Sequence, residues 1–251
     1  MICILLGLQT VVSADAPADD DPWLDAVRSR DLETLDAMLS IDAEANPDRD
    51  LPSGKTALMV AAQADDEGLV RRLLDAGATV DATNVNGGTA LMFAAIDGAM
   101  SAGRLLIERG ADVNAQASFG WTALMVAAVK GRAEFSGLLL KAGADPEACD
   151  AYGWTPLMRA TSGGHLNVVD TLLGDPRVDP DRAQESGATA LHIAAGMGYE
   201  NIVEHLLAVG ADPQVTDQEG RTPRDVAVLQ GHAGTGEILR QAESAKVQQV
   251  R

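Results

Sequence analysis

The sequence predicts an all-α fold: a solenoid of stacked helix-turn-helix units joined by short β-hairpin fingers. Two observations support this prediction. Leu-Leu pairs recur at regular intervals, and a Gly-x-Thr tripeptide occurs six times, with 33, 33, 33, 34 and 33 residues between successive threonines. A fixed period of this length is typical of architectures in which one supersecondary unit is copied along an axis. The six threonines are Thr56, Thr89, Thr122, Thr155, Thr189 and Thr222.

The copy spanning residues 87 to 114 shows how each unit is expected to form. Thr89 is placed to cap a first helix, because its hydroxyl is able to accept a backbone N–H of the first turn. Gly98 turns the chain into a second helix, and Gly110 ends that helix where a left-handed residue is favoured. Equivalent turn glycines are Gly131, Gly164, Gly198 and Gly231, with Asp65 as the exception, and equivalent helix-end glycines are Gly77, Gly143 and Gly210.

The period and its motifs resemble the ankyrin repeat family. Thr155-Pro156-Leu157 and Gly210-Ala211-Asp212 match family motifs, and the resemblance covers residues 23 to 243. The family's usual Thr-Pro-Leu-His survives only in part, because four copies carry methionine where the histidine is expected. The resemblance implies a protein-binding solenoid without a catalytic pocket.

The predicted organisation has four parts. Residues 1–14 are a signal peptide, residues 15–22 an acidic linker, residues 23–243 the ankyrin repeat domain, and residues 244–251 a polar tail. The repeat domain comprises an N-cap, five full repeats and a C-cap. Atypical polar ends are what a soluble repeat stack requires.

Export is predicted from the first residues. The stretch from Met1 to Leu8 is apolar apart from Gly7, and Val12-Ser13-Ala14 supplies small residues suited to cleavage after Ala14. We therefore expect a periplasmic or secreted bacterial protein, with a cytoplasmic location as the alternative because no basic residue precedes the apolar run. The run is too short to span a bilayer. Processing would remove Cys3 and leave Cys149 as the single thiol.

The charge limits the classes of partner. The formal net charge is −18, and residues 1–50 hold twelve acidic and three basic residues. Nucleic acid binding requires basic patches, so we expect no nucleic acid partner. A strongly basic protein would instead be steered towards this chain. We expect a monomer that binds a protein partner and does not insert into a membrane after processing.

No constellation in the sequence indicates catalysis, a cofactor or a metal. Ser53-Gly54-Lys55-Thr56 imitates the end of a phosphate-binding loop, but the position that needs glycine is Arg49. None of the four histidines has a cysteine or histidine at zinc-ligand spacing. We therefore predict that the protein is not an enzyme and holds no cofactor or metal.

The predicted partner-binding residues occupy variable positions of three adjacent repeats. In the family, the finger positions around each glycine, such as Val85, face the concave surface, and so does the residue after the methionine or histidine of the first helix, such as Phe93 and Arg159, so we expect these residues to be exposed. Aromatic residues beside an arginine have the composition of a binding hot spot. Trp121 and Trp154 are equivalent residues, expected about 8–10 Å apart and exposed in the free protein. The alternative is that the rings only stiffen the fingers. The six candidates are Phe93, Phe119, Trp121, Tyr152, Trp154 and Arg159.

The leading function is therefore non-catalytic capture of a protein partner through hairpin tips and the concave face. Within that class, the protein would scaffold or protect an exported enzyme, or it would act as an inhibitor or immunity protein that neutralises a basic toxin. A cytosolic or host-directed interaction protein is the remaining alternative.

Export predicts the mass of the native protein. Cleavage after Ala14 gives a mature chain that begins at Asp15, lacks Cys3 and keeps the whole net charge. Intact-mass analysis of the protein from its native cell measures this directly. A native mass that includes residues 1–14 would contradict export.

Overall fold

The computed structural model describes residues 22–29, 31, 33–34, 37–38, 46–51 and 54–249. Residues 1–21, with the expected signal peptide and most of the acidic linker, lie outside the described residues. The chain divides into two compact units, residues 1–123 (unit one) and residues 124–251 (unit two). The all-α prediction is confirmed, because the described residues contain 13 α-helices and no strand.

Unit one holds helix pairs in two layers. Its first helices, α2 and α4, lie against each other, and its second helices, α3 and α5, form the other layer. Its helices are α1 (Pro22–Ser29), α2 (Ala57–Gln63), α3 (Glu67–Asp75), α4 (Ala90–Asp97) and α5 (Met100–Glu108).

Unit two repeats the same arrangement. The first helices α8, α10 and α12 pack in one row, and the second helices α7, α9, α11 and α13 pack in another. The helices from the unit boundary onward are α6 (Ala123–Val129), α7 (Ala133–Lys141), α8 (Pro156–Ser162), α9 (Leu166–Leu173), α10 (Ala190–Met197), α11 (Glu200–Ala208), α12 (Pro223–Leu229) and α13 (Ala233–Gln249).

Small and large apolar residues occupy different helices of the core. The first helices bury alanines, whose short side chains let neighbouring helices approach closely. The second helices supply leucines, and burying each leucine contributes about 1.5–3 kcal/mol. The equivalent, fully buried leucines are Leu73, Leu106, Leu139, Leu172 and Leu206.

Each Gly-x-Thr lies in a tight turn, which we call a finger. The fingers are residues 51–55, 84–88 and 117–121 in unit one (fingers 1 to 3) and residues 150–154, 184–188 and 217–221 in unit two (fingers 4 to 6). Two backbone hydrogen bonds close finger 2: Asn84 N–H donates to Gly88 O (3.0 Å) and Gly87 N–H donates to Asn84 O (2.8 Å). The same two bonds close the other five fingers. The expected hairpins are thus turns too short to contain a strand.

The glycines that sequence analysis placed at turns and helix ends have left-handed backbones, and so does Asp65 (φ 54°). Gly198 shows why one such position requires glycine. Its φ is 70°, and a Cβ there would lie 2.5 Å from the His232 ring. That ring bonds Gly196 O at 3.1 Å, so the glycine lets one repeat contact the next.

Threonine capping holds in three repeats and fails in the repeat that begins at Thr89. Thr56 and Thr155 accept backbone N–H groups at 3.3 Å, as does Thr222. The expectation for Thr89 is wrong, because its side chain makes no cap hydrogen bond. The φ of Thr89 is −99°, against −81° at Thr56, and we attribute the lost cap to this more extended backbone.

The C-terminal cap ends differently from the expected tail. Helix α13 continues to Gln249, so residues 244–249 extend the last helix. Glu243 stands where earlier repeats have a helix-ending glycine, and nothing there favours a left-handed backbone. Lys246 Nζ lies 2.7 Å from Asp212, and Arg224 lies 3.4 Å from Glu243. These pairs hold the long helix against the last repeat.

His192 is a titratable link between two repeats of unit two. Its Nδ1 accepts the Thr189 N–H at 3.2 Å, and its Nε2 lies 3.0 Å from the Arg221 carbonyl. Burial lowers the pKa of His192, and the hydrogen bond to Arg221 opposes that shift. Because its pKa is lowered on folding, the folded protein favours the neutral ring.

His192→Met should therefore reduce the pH dependence of stability. The wild-type protein loses stability as pH falls below about 6.5, where the unfolded chain takes up the proton first. Methionine occupies the equivalent buried position at Met59, Met92, Met125 and Met158, so the variant should fold. Urea denaturation at about pH 7.5 and about pH 5.5 measures the effect. An equal loss of stability in both proteins would refute it.

Candidate partner-binding fingers

The six predicted partner-binding residues divide into exposed and buried groups. Phe119 is 53% exposed, Tyr152 is 49% exposed, and Trp154 is half-buried. The expectation of exposure is wrong for the remaining three, which are Phe93, Trp121 and Arg159. Contact of any of the six with a partner stays a prediction, as does the spacing expected between Trp121 and Trp154.

Phe93 supports finger 2 from within unit one. Its ring is 0% exposed and lies beside Gly88, where an added Cβ would be 3.5 Å from the ring edge. Lys55 Nζ covers the other side, 4.6 Å from the ring centroid. Burial lowers the pKa of Lys55, and the Asp97 carboxylate opposes that shift. Phe93 is therefore a buried residue beneath the finger.

Trp121, the last residue of finger 3, is also buried. It is 1% exposed and is one of the largest fully buried side chains. Its carbonyl accepts the Ala117 N–H at 2.8 Å and so closes finger 3. The position that follows the finger glycine therefore turns a large side chain inward in this repeat. This direction depends on backbone geometry, which sequence position alone does not show.

Arg159 belongs to a buried ion pair in unit two. Its guanidinium donates to Asp150 Oδ2, and the Asp150 side chain is 0% exposed. The guanidinium also lies over Trp154, with Cζ 4.5 Å from the ring centroid. Asp150 Oδ1 accepts two finger N–H groups, from Tyr152 at 2.9 Å and Trp154 at 3.1 Å. Arg159 thus stabilises finger 4 from beneath, and Tyr152 is the exposed residue at its tip.

Asp150 marks a position that sequence analysis missed. A side-chain oxygen three residues before the finger glycine recurs at Asn84 and Asp217. Asn84 accepts the N–H groups of Asn86 and Gly88, at 3.0 and 2.8 Å. The signal was visible as a recurring Asn or Asp, a residue type that favours turns by binding backbone two residues on.

Finger 3 lacks this acceptor because Ala117 occupies the position. Residues Ser118–Gly120 form a 3₁₀ turn instead, and Phe119 has a left-handed backbone (φ 60°, ψ 22°). A left-handed backbone costs a non-glycine residue about 1–2 kcal/mol. Finger 3 therefore holds an exposed aromatic ring in a conformation that the sequence alone did not predict.

Fingers 2 and 3 are joined at their tips. Ser118 N–H donates to Asn86 O at 2.8 Å. Val85, next to Asn86, is 85% exposed, the highest value among the large exposed hydrophobic residues described. Unit one therefore presents Val85 and Phe119 on neighbouring tips.

The described part of the chain contains neither a metal-binding cluster nor a membrane-spanning helix. No group of three or more His, Cys, Asp or Glu side chains there is arranged to hold a metal ion. No described helix is both long enough and apolar enough to cross a membrane.

Comparison with known proteins gives consistent results. A family model for ankyrin repeats matches residues 23–117, 115–184 and 174–250. The crystal structure of the ankyrin repeat domain of Bcl-3, of the IkappaB protein family, is 30% identical, with a TM-score of 0.78, and the match covers 88% of this chain and 99% of that one. The ankyrin repeat protein EF0377 is 34% identical, with a TM-score of 0.68 and coverage of 73% and 96%.

Curated relatives match over short stretches. Tyrosine-protein kinase HTK16 of Hydra vulgaris is 40% identical over 75 residues, which is 29% of this chain and 10% of the kinase. Zinc finger CCCH domain-containing protein 50 of Oryza sativa subsp. japonica is 48% identical over 72 residues, 27% of this chain and 11% of that protein. The matched part thus spans about a tenth of each relative's length.

Breaking the buried Asp150–Arg159 ion pair should lower the stability of the protein. Arg159→Val leaves the Asp150 carboxylate buried without its cation, so it should destabilise the protein by about 3 kcal/mol. Adding Asp150→Asn should recover most of this loss, because the chain already combines Asn84 with an apolar Phe93 at the equivalent positions. Denaturant unfolding of the two single variants and the double variant gives the coupling. Additive effects would show that the pair is not a unit.

Proposed function

We propose that this chain, which belongs to the ankyrin repeat family, captures a protein partner through its finger tips and the inner helix face beside them, without catalysing a reaction. Ankyrin repeats generally mediate protein–protein interaction. The fold is typically a non-catalytic interaction module. The observation that carries the proposal is the exposure of large apolar side chains at finger tips: Val85, Phe119 and Tyr152.

Aromatic residues are rare in this chain, and few of them are exposed. The chain has only three Phe, two Tyr and three Trp. Phe93, Phe135 and Trp121 belong to the core and are almost fully buried. Placing Phe119 and Tyr152 at tips instead contributes nothing to core packing. Aromatic residues are enriched at protein interfaces, so a binding role accounts for their position.

Tyr152 is suited to the centre of such a contact. The buried Asp150 and Arg159 hold its finger, so little side-chain and backbone freedom is lost when a partner binds. A tyrosine offers an apolar ring together with a hydroxyl that donates or accepts a hydrogen bond. A rigid finger and an amphipathic tip together are the features expected of a binding anchor.

We further propose that the protein is exported and that its partner is basic. The apolar residues Met1 to Leu8 and the small residues before Asp15 support export to the periplasm or outside the cell. The net charge of −18 supports a basic partner. This charge also favours the alternative that the protein is an inhibitor or immunity protein that neutralises a basic toxin. A cytosolic or host-directed interaction protein is the alternative if residues 1–14 are retained.

Tyr152→Ala tests the proposal after affinity capture and mass spectrometry have identified a partner. A tyrosine at a hot spot typically contributes about 2 kcal/mol, so the variant should bind about 30-fold more weakly. Isothermal titration calorimetry measures the change, and thermal unfolding should be unaltered because the ring is exposed.

Val209→Ala is the matched control. Val209 is an apolar residue of similar exposure (43%) in the same unit, but it follows α11 and lies outside the fingers. The control should bind like the wild-type protein. Failure to capture any protein partner, or full binding by the Tyr152 variant together with loss in the control, would refute the proposal.

A further inference from the structure

We infer that fingers 2 and 3 of unit one form a docking surface for a basic segment of the partner protein, with a large apolar side chain of that segment placed against Val85 and Phe119. This inference rests on the proposed function and adds the chemistry of the partner. The surface consists of the two finger tips, residues 84–88 and 117–121, and the segments that lead into them carry the acidic residues Asp81 and Asp112.

The apolar part of this surface lies on two finger tips that are hydrogen-bonded to each other. Val85 is 85% exposed and Phe119 is 53% exposed. The Ser118–Asn86 hydrogen bond of 2.8 Å fixes the two tips relative to each other. Beneath finger 2, the buried Phe93 ring lies beside Gly88 and prevents the finger from collapsing inward. A partner side chain therefore meets two apolar groups that are already in place.

The backbone of finger 3 presents Phe119 in an unusual direction. Fingers 2, 4 and 6 have Asn or Asp three residues before the glycine, and the residue that precedes their glycine has an ordinary negative φ. Ala117 removes that acceptor, and Phe119 takes a left-handed backbone instead. Strained residues of this kind persist where the surrounding structure holds them and are concentrated at functional sites.

The charges around these fingers have one sign. No lysine or arginine occurs in residues 73–103 or in residues 110–129, which contain both fingers and both following first helices. The acidic residues of these stretches are Asp75, Asp81, Asp97 and Asp112. Of the two arginines between the stretches, Arg104 lies on α5 and Arg109 directly follows it, where it pairs with Asp75 at 2.8 Å.

Lys55, a cation close to finger 2, is already engaged. It lies over the Phe93 ring, and its Nζ donates to Gln63 Oε1 at 3.1 Å. Asp112, by contrast, is exposed, and Asp81 is partly exposed and accepts the Asp112 N–H. Residues 51–123, which contain both fingers, carry eight acidic and five basic residues, a net charge of −3. This field attracts cationic segments and repels acidic ones.

The occupant follows from the combination of these features. Lysine and arginine have long apolar stems that cover hydrophobic surface while their charged ends stay in water. A segment with lysines or arginines around one large apolar residue matches both the exposed tips and the acidic surroundings. An acidic or purely polar segment matches neither.

Selection of displayed random twelve-residue peptides on the intact protein tests this inference. The selected peptides should be rich in lysine and arginine around one large apolar residue, and raising the salt concentration should weaken their binding. Val85→Ala combined with Phe119→Ala should reduce their affinity at least tenfold, whereas Val209→Ala, an exposed apolar position outside the fingers, should leave it unchanged. Recovery of no peptides, selection of acidic peptides, or equal binding to the double variant would overturn the inference.

Ala117→Asn tests the role of the left-handed backbone without removing any apolar group. The asparagine restores the acceptor found in finger 2, so Phe119 should take a negative φ, which loss of the strong intraresidue HN–Hα NOE typical of positive φ reports. Peptide affinity should fall several-fold. Unchanged affinity after the backbone has changed would show that the direction of the ring does not matter.

The native partner separates failure of this inference from failure of the proposed function. If the wild-type protein captures a partner and the Val85 and Phe119 double variant binds it with at least tenfold lower affinity, the docking surface is supported. If the partner is captured and the double variant binds it normally, the inference fails and the proposed function stands. If no partner is captured, the proposed function itself fails.

Discussion

The pair of backbone hydrogen bonds that closes each finger is the constraint on which the candidate site depends. It requires a glycine with positive φ, such as Gly87 at 76°, whose missing Cβ also leaves room for Ala117 of the next finger. Once the turn is closed, the two residues before the glycine stand at the tip. The residue after it carries the carbonyl that completes the turn and can lie inward, as Trp121 does. The identity of the tip residues then decides what the finger offers to a partner.

Electrostatics act differently beneath the fingers and on their surface. In finger 4, Asp150 is fully buried, so its charge needs both the finger N–H groups and the Arg159 guanidinium. Such a pair is weak evidence of added stability, but breaking it is costly because one charge is left behind. Around fingers 2 and 3 the carboxylates remain in contact with water, where single pairs contribute little. Their effect there is to select and attract a partner of opposite charge.

The aromatic residues serve two purposes that depend on burial. Phe93 and Trp121 are buried, and Phe93 lies beneath finger 2, whereas Phe119 and Tyr152 are exposed at tips. This division joins the two interpretations that sequence analysis kept apart, in which the rings either bind a partner or stiffen the fingers. Stiffening also serves binding, because an ordered finger loses less entropy when a partner docks.

The sequence by itself determined the fold, because a period of about 33 residues requires one helix pair per copy and places glycine at each left-handed turn. Its repeated motifs also located the fingers and the exposed Phe119 and Tyr152. Only the tertiary structure decided that Phe93, Trp121 and Arg159 are buried. The reason is physical: the direction of a side chain beside a turn depends on backbone angles and on neighbours from other repeats. Ala117 illustrates this, since its missing side-chain acceptor changes the backbone of Phe119 two residues later.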